Sequence, residues 1–137
     1  MPIQSTIQPG SVYYFADPCL SPSEEPHFFI VINLDPLGDN ILLLVCSHSK
    51  VEHIKRMRRI HPGTTVEIDP SIYKEFKALS IVDCNVVFQK SIDELNEKYK
   101  GGKLRFKTVI PIEIIEKLRE AVLESVVVER YIKEMLI

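Results

Sequence analysis

Pro26-His27 opens the apolar run Phe28-Phe29-Ile30-Val31-Ile32-Asn33, and a second run, Ile41-Leu42-Leu43-Leu44-Val45, ends in Cys46-Ser47-His48-Ser49-Lys50. The turn-rich stretch Asp35-Pro36-Leu37-Gly38-Asp39-Asn40 separates them. Runs joined in this way pair as an antiparallel hairpin, which lays the start of the first beside the end of the second. His27, Ser47 and His48 then share one rim of a sheet. Imidazoles and hydroxyls gathered there suit proton transfer or anion binding, and sheet stability requires neither. Histidine can take either proton role, because an unperturbed pKa of about 6.5 leaves both forms populated near neutrality. Alternation sets a limit: if the strand runs through Ser49, Ser47 and Ser49 face one way and His48 the other.

The residues that follow are strongly basic. From His48 to Gly63 stand Lys50, Lys55, Arg56, Arg58 and Arg59 against one acid, Glu52, on a chain whose net charge is −2. A local cationic segment on an otherwise acidic protein favours a polyanion at that place and disfavours indiscriminate nucleic-acid binding by the whole surface. Clustered Lys and Arg can hold a phosphate backbone; a docking face for an acidic partner or a solvated loop has the same composition. No aromatic residue is interleaved, so base stacking would have to come from Tyr13, Tyr14 or Phe15. Cys46, His48, His53 and His61 are zinc-type ligands, but their spacing matches no metal motif and Cys46 is expected in the core. No metal or other cofactor is expected.

The elements that position these groups follow from patterning. Gly10-Ser11-Val12-Tyr13-Tyr14-Phe15 has the aromatic and β-branched content of a first strand, and residues 17–25, with Pro18 and Pro22, form a loop. The basic segment 50–60 forms a helical turn or stays mobile, and Pro62-Gly63 ends it. Residues 64–68 alternate as a strand. Residues 70–77 resemble a short helix with Ile72, Tyr73 and Phe76 inward. Residues 80–88 form a further strand, with Val82, Cys84 and Val86 on one face and Asp83 as a structural hydrogen-bonding residue. Ser91-Ile92-Asp93-Glu94 is a capping box that opens a helix, and Gly101-Gly102 stops it. Pro111 suits the first position of a helix with Ile114, Ile115, Leu118 and Val122 on one stripe, and residues 127–136 repeat that pattern. Five or six short strands followed by helices predict a mainly β fold: a small antiparallel barrel with C-terminal helices packed outside, in one domain over residues 1–137.

Composition agrees with a soluble globular chain, 45% apolar and 26% charged. Cys19, Cys46 and Cys84 are odd in number and widely spaced. With polar, Pro-containing residues 1–9 and no apolar run of about 18 residues, they predict a reduced, cytoplasmic protein outside the membrane.

The order of these motifs, from about Gly10 to Met135, resembles the MazF/PemK-like toxins, endoribonucleases of toxin–antitoxin systems built on a CcdB-like, SH3-type barrel. The anchors are the Gly10-Ser11-Val12 start, Pro26-His27 with its apolar strand, the strand ending at Ser47 and Ser49, Ser80-Ile81-Val82-Asp83-Cys84 and the closing amphipathic helix. The resemblance implies metal-independent cleavage of single-stranded RNA, a homodimer, and an acidic antitoxin protein as partner. In that family an arginine commonly precedes the second strand's proline and the third strand ends in threonine-serine; here those places hold Pro26-His27 and Ser47-His48. Three outcomes stay open: His27 and His48 with Ser47 form the catalytic group, an arginine from the segment (Arg56, Arg58 or Arg59) substitutes, or catalysis is lost. In the last case the chain is a non-catalytic barrel module that binds RNA or an acidic protein through residues 48–63.

Overall fold

A computed structural model describes residues 2–18 and 25–137; Cys19 and most of the loop expected over residues 17–25 lie outside the described residues. Among the described residues seven strands and five α-helices follow in order: β1 (Val12–Phe15), β2 (His27–Val31), α1 (Pro36–Asp39), β3 (Leu42–His48), α2 (Val51–Met57), β4 (Thr65–Ile68), β5 (Ser80–Asp83), β6 (Phe88–Lys90), α3 (Ile92–Lys100), β7 (Leu104–Lys107), α4 (Ile112–Glu124) and α5 (Arg130–Glu134). All strand pairs are antiparallel, and the path runs β4-β5-β3-β2-β1-β7. Among the described residues no pair joins β4 to β7, so the fold is mixed α and β around an open sheet. The expected barrel closure is not made by strand pairing.

The hairpin at the centre has the predicted pairing. Phe29, Ile30 and Val31 lie opposite Cys46, Val45 and Leu44. Its connection is held by side chains that substitute for the ladder. Buried Asn33 accepts from the Leu43 amide at 2.7 Å and donates to the Ile41 carbonyl at 2.8 Å and to Asp39 at 2.9 Å. Asp35 caps the one-turn helix α1 through the Gly38 amide, and Asn40 leaves it in the left-handed conformation, φ 55°, which Asn tolerates better than most residues.

β3 carries two partners on its other edge. Leu42–Leu44 pair with β6, and Ser47–His48 pair with β5. Three steps along β3, Leu44 to Ser47, face six on the partner, Val82 to Phe88. The single strand expected over residues 80–88 is therefore broken by an outward bulge. Val86 is 43% exposed there instead of sharing the buried face of Val82 and Cys84.

Both faces of the sheet are covered. One core joins Val12, Ile30, Leu43, Val45 and Val82 to Ile114, Ile115, Leu118 and Val122 of α4 and to Ile132 of α5. The other joins Phe15, Phe29, Leu44 and Cys46 to Ile92 and Leu95 of α3 and to the N-terminal turn at Ile3. Burial on two faces explains why residues 41–46 read as a continuous apolar run rather than an alternating one. α3 begins as expected, with Ser91 accepting from the Glu94 amide at 3.0 Å, but the Glu94 carboxylate pairs with Lys90 at 3.4 Å instead of returning to complete the box. Residues 70–77 form turns, not a helix: Tyr73 and Phe76 are buried, whereas Ile72 is 45% exposed. β7 is an edge strand absent from the sequence expectations.

Gly10 is the tightest junction. Its φ is +90°, its amide donates to the Val31 carbonyl and its carbonyl accepts from Ile110, and an added Cβ would lie 2.2 Å from Ile115 Cδ1. Gly10→Ala is expected to lower stability by about 1–3 kcal/mol, measured by chemical denaturation, with the far-UV spectrum unchanged.

Candidate functional site

Continued two residues past the Phe29–Cys46 pair, the β2–β3 register sets His48 opposite His27. Both residues share the face of Phe29 and Cys46, and at the sheet rim that face opens to solvent. Their rings lie 6.1 Å apart between centroids at 60°, and both residues are half-buried. They border a cleft of about 280 Å³ shared with Glu25, Ser49, Lys50 and His53, with Ile54 as its apolar wall.

Ser47 does not join this cleft. It is 5% exposed, and alternation turns its side chain to the face of Val45. β3 ends at His48, so Ser49 escapes the alternation expected for a longer strand and lines the cleft beside the imidazole. The site hydroxyl is therefore Ser49 rather than Ser47.

Two further groups were not among the sequence candidates for this site. Glu25 immediately precedes Pro26. His53 enters from α2, where Lys50, His53 and Ile54 stand at i, i+3 and i+4 and so share one helix face. That spacing is readable in the sequence once residues 51–57 are taken as helix.

The electrostatics separate the imidazoles by role. Burial pushes the His48 pKa below its ordinary 6.5; the neighbouring His27 and, more weakly, His53 push it the same way, and the Asp83 carboxylate opposes them. Neutral His48 therefore dominates at pH 7 and can accept a proton. His27 Nδ1 lies 3.0 Å from the Glu25 carbonyl oxygen. A carbonyl only accepts, so Nδ1 carries hydrogen and Nε2 is left to exchange protons with a ligand.

The basic segment divides into committed and available cations. Arg58 grips Asp83 through Nε (3.1 and 3.2 Å) and Nη2 (2.8 Å), and Asp83 is 5% exposed. Burial raises the Asp83 pKa, but hydrogen bonds from Arg58 and Asn85 outweigh it and hold the carboxyl below its ordinary value. Asn85 extends this contact to Thr64 and, through Ser125, to the end of α4. Arg58 is thus a structural tie, as Asp83 was expected to be, and not a free phosphate ligand. Lys55 pairs with Glu67 at 3.2 Å on the surface. Lys50 faces the cleft, and exposed Arg56 and Arg59 have no carboxylate partner among the described residues. Cys46 lies in a core, where burial drives its thiol pKa upward. Among the described residues no group of three or more His, Cys, Asp or Glu is placed to hold a metal ion, and no helix is long and apolar enough to cross a membrane.

Two expected outcomes follow from these contacts. In imidazole NMR titrations His48 should have a midpoint below 6.5, and His27→Ala should move that midpoint upward by removing a neighbouring positive charge. A folded value below the unfolded one makes the unfolded chain bind more protons as pH falls through this window, so the native state loses stability there. Arg58→Ala should cost about 1–3 kcal/mol in denaturant unfolding, because it strips donors from a buried carboxylate, whereas Arg56→Ala should leave stability within about 0.5 kcal/mol.

In comparisons with known proteins, no family model matches the chain, and no curated protein matches it significantly.

Proposed function

We propose that the protein is a MazF/PemK-like endoribonuclease that cleaves single-stranded RNA by metal-independent transesterification. The observation that supports this most directly is the His27–His48 pair, 6.1 Å apart in an open cleft with Lys50 beside it. At that separation both rings can reach oxygens of one phosphate seated at the mouth of the cleft, each across a hydrogen bond of about 2.6–3.2 Å.

In this proposal His48, kept neutral, takes the proton of the 2′-hydroxyl. The 2′-oxygen attacks phosphorus, the bond to the 5′-oxygen breaks, and His27 delivers a proton to that leaving oxygen. The products are a 2′,3′-cyclic phosphate and a 5′-hydroxyl. Lys50 balances the added negative charge on the phosphorane, the duty that the family's arginine would have had. Ser49 donates a hydrogen bond to a phosphate oxygen, and His53 adds a third imidazole to the cleft wall. Arg56 and Arg59 hold the flanking backbone; Arg58, spent on Asp83, does not. The open sheet would then be a relative of the CcdB-like, SH3-type barrel, compatible in its antiparallel strands and outer helices. A homodimer and an acidic antitoxin partner belong to the same proposal.

Incubation of purified protein with a long single-stranded RNA tests it. Cleavage that persists in chelator and leaves cyclic phosphate ends is expected, with His27→Ala and His48→Ala each slowing it about 100-fold or more. The acid limb of the rate profile should fall below pH 6.5, following His48. RNA that stays intact with wild type would reject the enzyme; salt-sensitive binding without cleavage would instead favour a non-catalytic module that uses residues 48–63.

A further inference from the structure

Beyond the segment 48–63, a second cationic tract lies in the chain. Lys98-Tyr99-Lys100-Gly101-Gly102-Lys103-Leu104-Arg105-Phe106-Lys107 holds five basic residues and no acid, with two aromatics interleaved. It spans the end of α3, the two-glycine turn and the edge strand β7. None of its five cations has a carboxylate partner among the described residues, although other Lys and Arg side chains of this acidic chain are paired: Lys55 with Glu67, Arg58 with Asp83, Lys90 with Asp17 and Glu94.

The sheet carries this tract towards the imidazole cleft. Leu104 pairs with Phe15, and Phe15 pairs with His27. His27 is thus two strand spacings from the start of β7, about 10 Å across the sheet. Lys98 Nζ stands over the Phe15 ring, 5.8 Å from its centroid, beside the same row of residues. Lys98 and Lys103 line a cavity of about 390 Å³ whose other described walls are Ala16, Pro18 and Pro26. Pro26 adjoins His27 in the chain, so the cavity and the cleft both border the start of β2.

We infer that Lys98 and Lys103 form a second phosphate-binding subsite that receives the backbone of a single-stranded polynucleotide as it leaves the His27–His48 cleft. The inference rests on the proposed RNA chemistry and adds a direction to it: the strand crosses the sheet rim from Lys50 on the α2 side to Lys98 and Lys103 on the β7 side. Polyanion binding needs cations that no acid has already claimed, and Lys98 and Lys103 have no carboxylate partner among the described residues. Apolar walls at Ala16, Pro18 and Pro26 let a sugar or base rest between the phosphate contacts.

The test measures binding of a fluorescent single-stranded oligonucleotide across a range of salt concentrations, with imidazole NMR of His48 during addition of inorganic phosphate as an independent readout of the cleft. The Lys98→Ala/Lys103→Ala double variant should weaken oligonucleotide binding and lower the slope of log affinity against log salt by about 1.4, two phosphates at roughly 0.7 each for single strands. Lys117→Ala, on α4, should leave that slope unchanged. An unchanged slope in the double variant, with His48 still responding to phosphate, would overturn the subsite and leave the cleft proposal standing. If the wild type neither bound the oligonucleotide nor showed a His48 response, both would fall. An acidic polyglutamate peptide that bound wild type as tightly as the oligonucleotide, with the same dependence on Lys98 and Lys103, would overturn the assignment to nucleic acid.

Discussion

The register between β2 and β3 is the constraint on which the site depends. Side chains alternate with a period of two along a strand, so slipping β3 by one residue would move His48 to the opposite face and bring Ser47 to the cleft. Two independent features hold the register. Phe29 and Cys46 belong to one core while Ile30 and Val45 belong to the other, so a slip would exchange residues shaped for different surroundings. At the other end, Asn33 reaches across the connection to the Leu43 amide and the Ile41 carbonyl. The pairing of the imidazoles is thus set at the far end of the hairpin and in its middle, with no direct bond between the rings themselves.

α2 is the second positioning element, and it is fastened differently. Only Ile54 among its residues is buried, so apolar packing alone gives it little hold. The Arg58 fork on Asp83, just past the helix end, supplies an anchor with fixed geometry, because a guanidinium meets a carboxylate along two parallel directions. Asn85 sits in the bulge that separates β5 from β6, and its contacts with Asp83, Thr64 and Ser125 tie that bulge to the helix anchor. A break in the strand that is unnecessary for the sheet therefore becomes a support for the side of the cleft that carries Lys50 and His53.

The legible parts of this molecule are those in which local chemistry agrees with tertiary placement. The hairpin is readable because two apolar runs flank turn residues, and α4 is readable because Ile114, Ile115, Leu118 and Val122 repeat at helical spacing. Residues 70–77 mislead for a physical reason: Tyr73 and Phe76 are three apart and both buried, but turns deliver them inward as well as a helix would. β7 is hard to see because Arg105 and Phe106 are exposed on an edge strand, leaving Leu104 as its buried apolar residue. Barrel closure cannot be read from strand number, since it depends on whether the first and last strands of the path meet. Within the site, the His27–His48 approach is legible from antiparallel geometry alone. Ser49 replacing Ser47 is not, because it depends on where the strand stops.

The charges of the two basic tracts show why composition by itself is a poor guide to a binding surface. In the segment 48–63 the most basic-looking feature, Arg56-Met57-Arg58-Arg59, splits into one arginine spent on a buried carboxylate and two left in solvent. Burying Asp83 without that partner would leave an uncompensated charge, which is far costlier than an exposed arginine is useful. Among the described residues, the tract over residues 98–107 has no buried carboxylate to satisfy. Lys98 and Lys107 lie over the rings of Phe15 and Tyr14 instead, contacts that orient an ammonium while leaving its charge available to an anion. What separates a cation committed to the structure from one still available to an anion is therefore the partner already in contact, an acid or an aromatic face, and not the density of Lys and Arg along the chain.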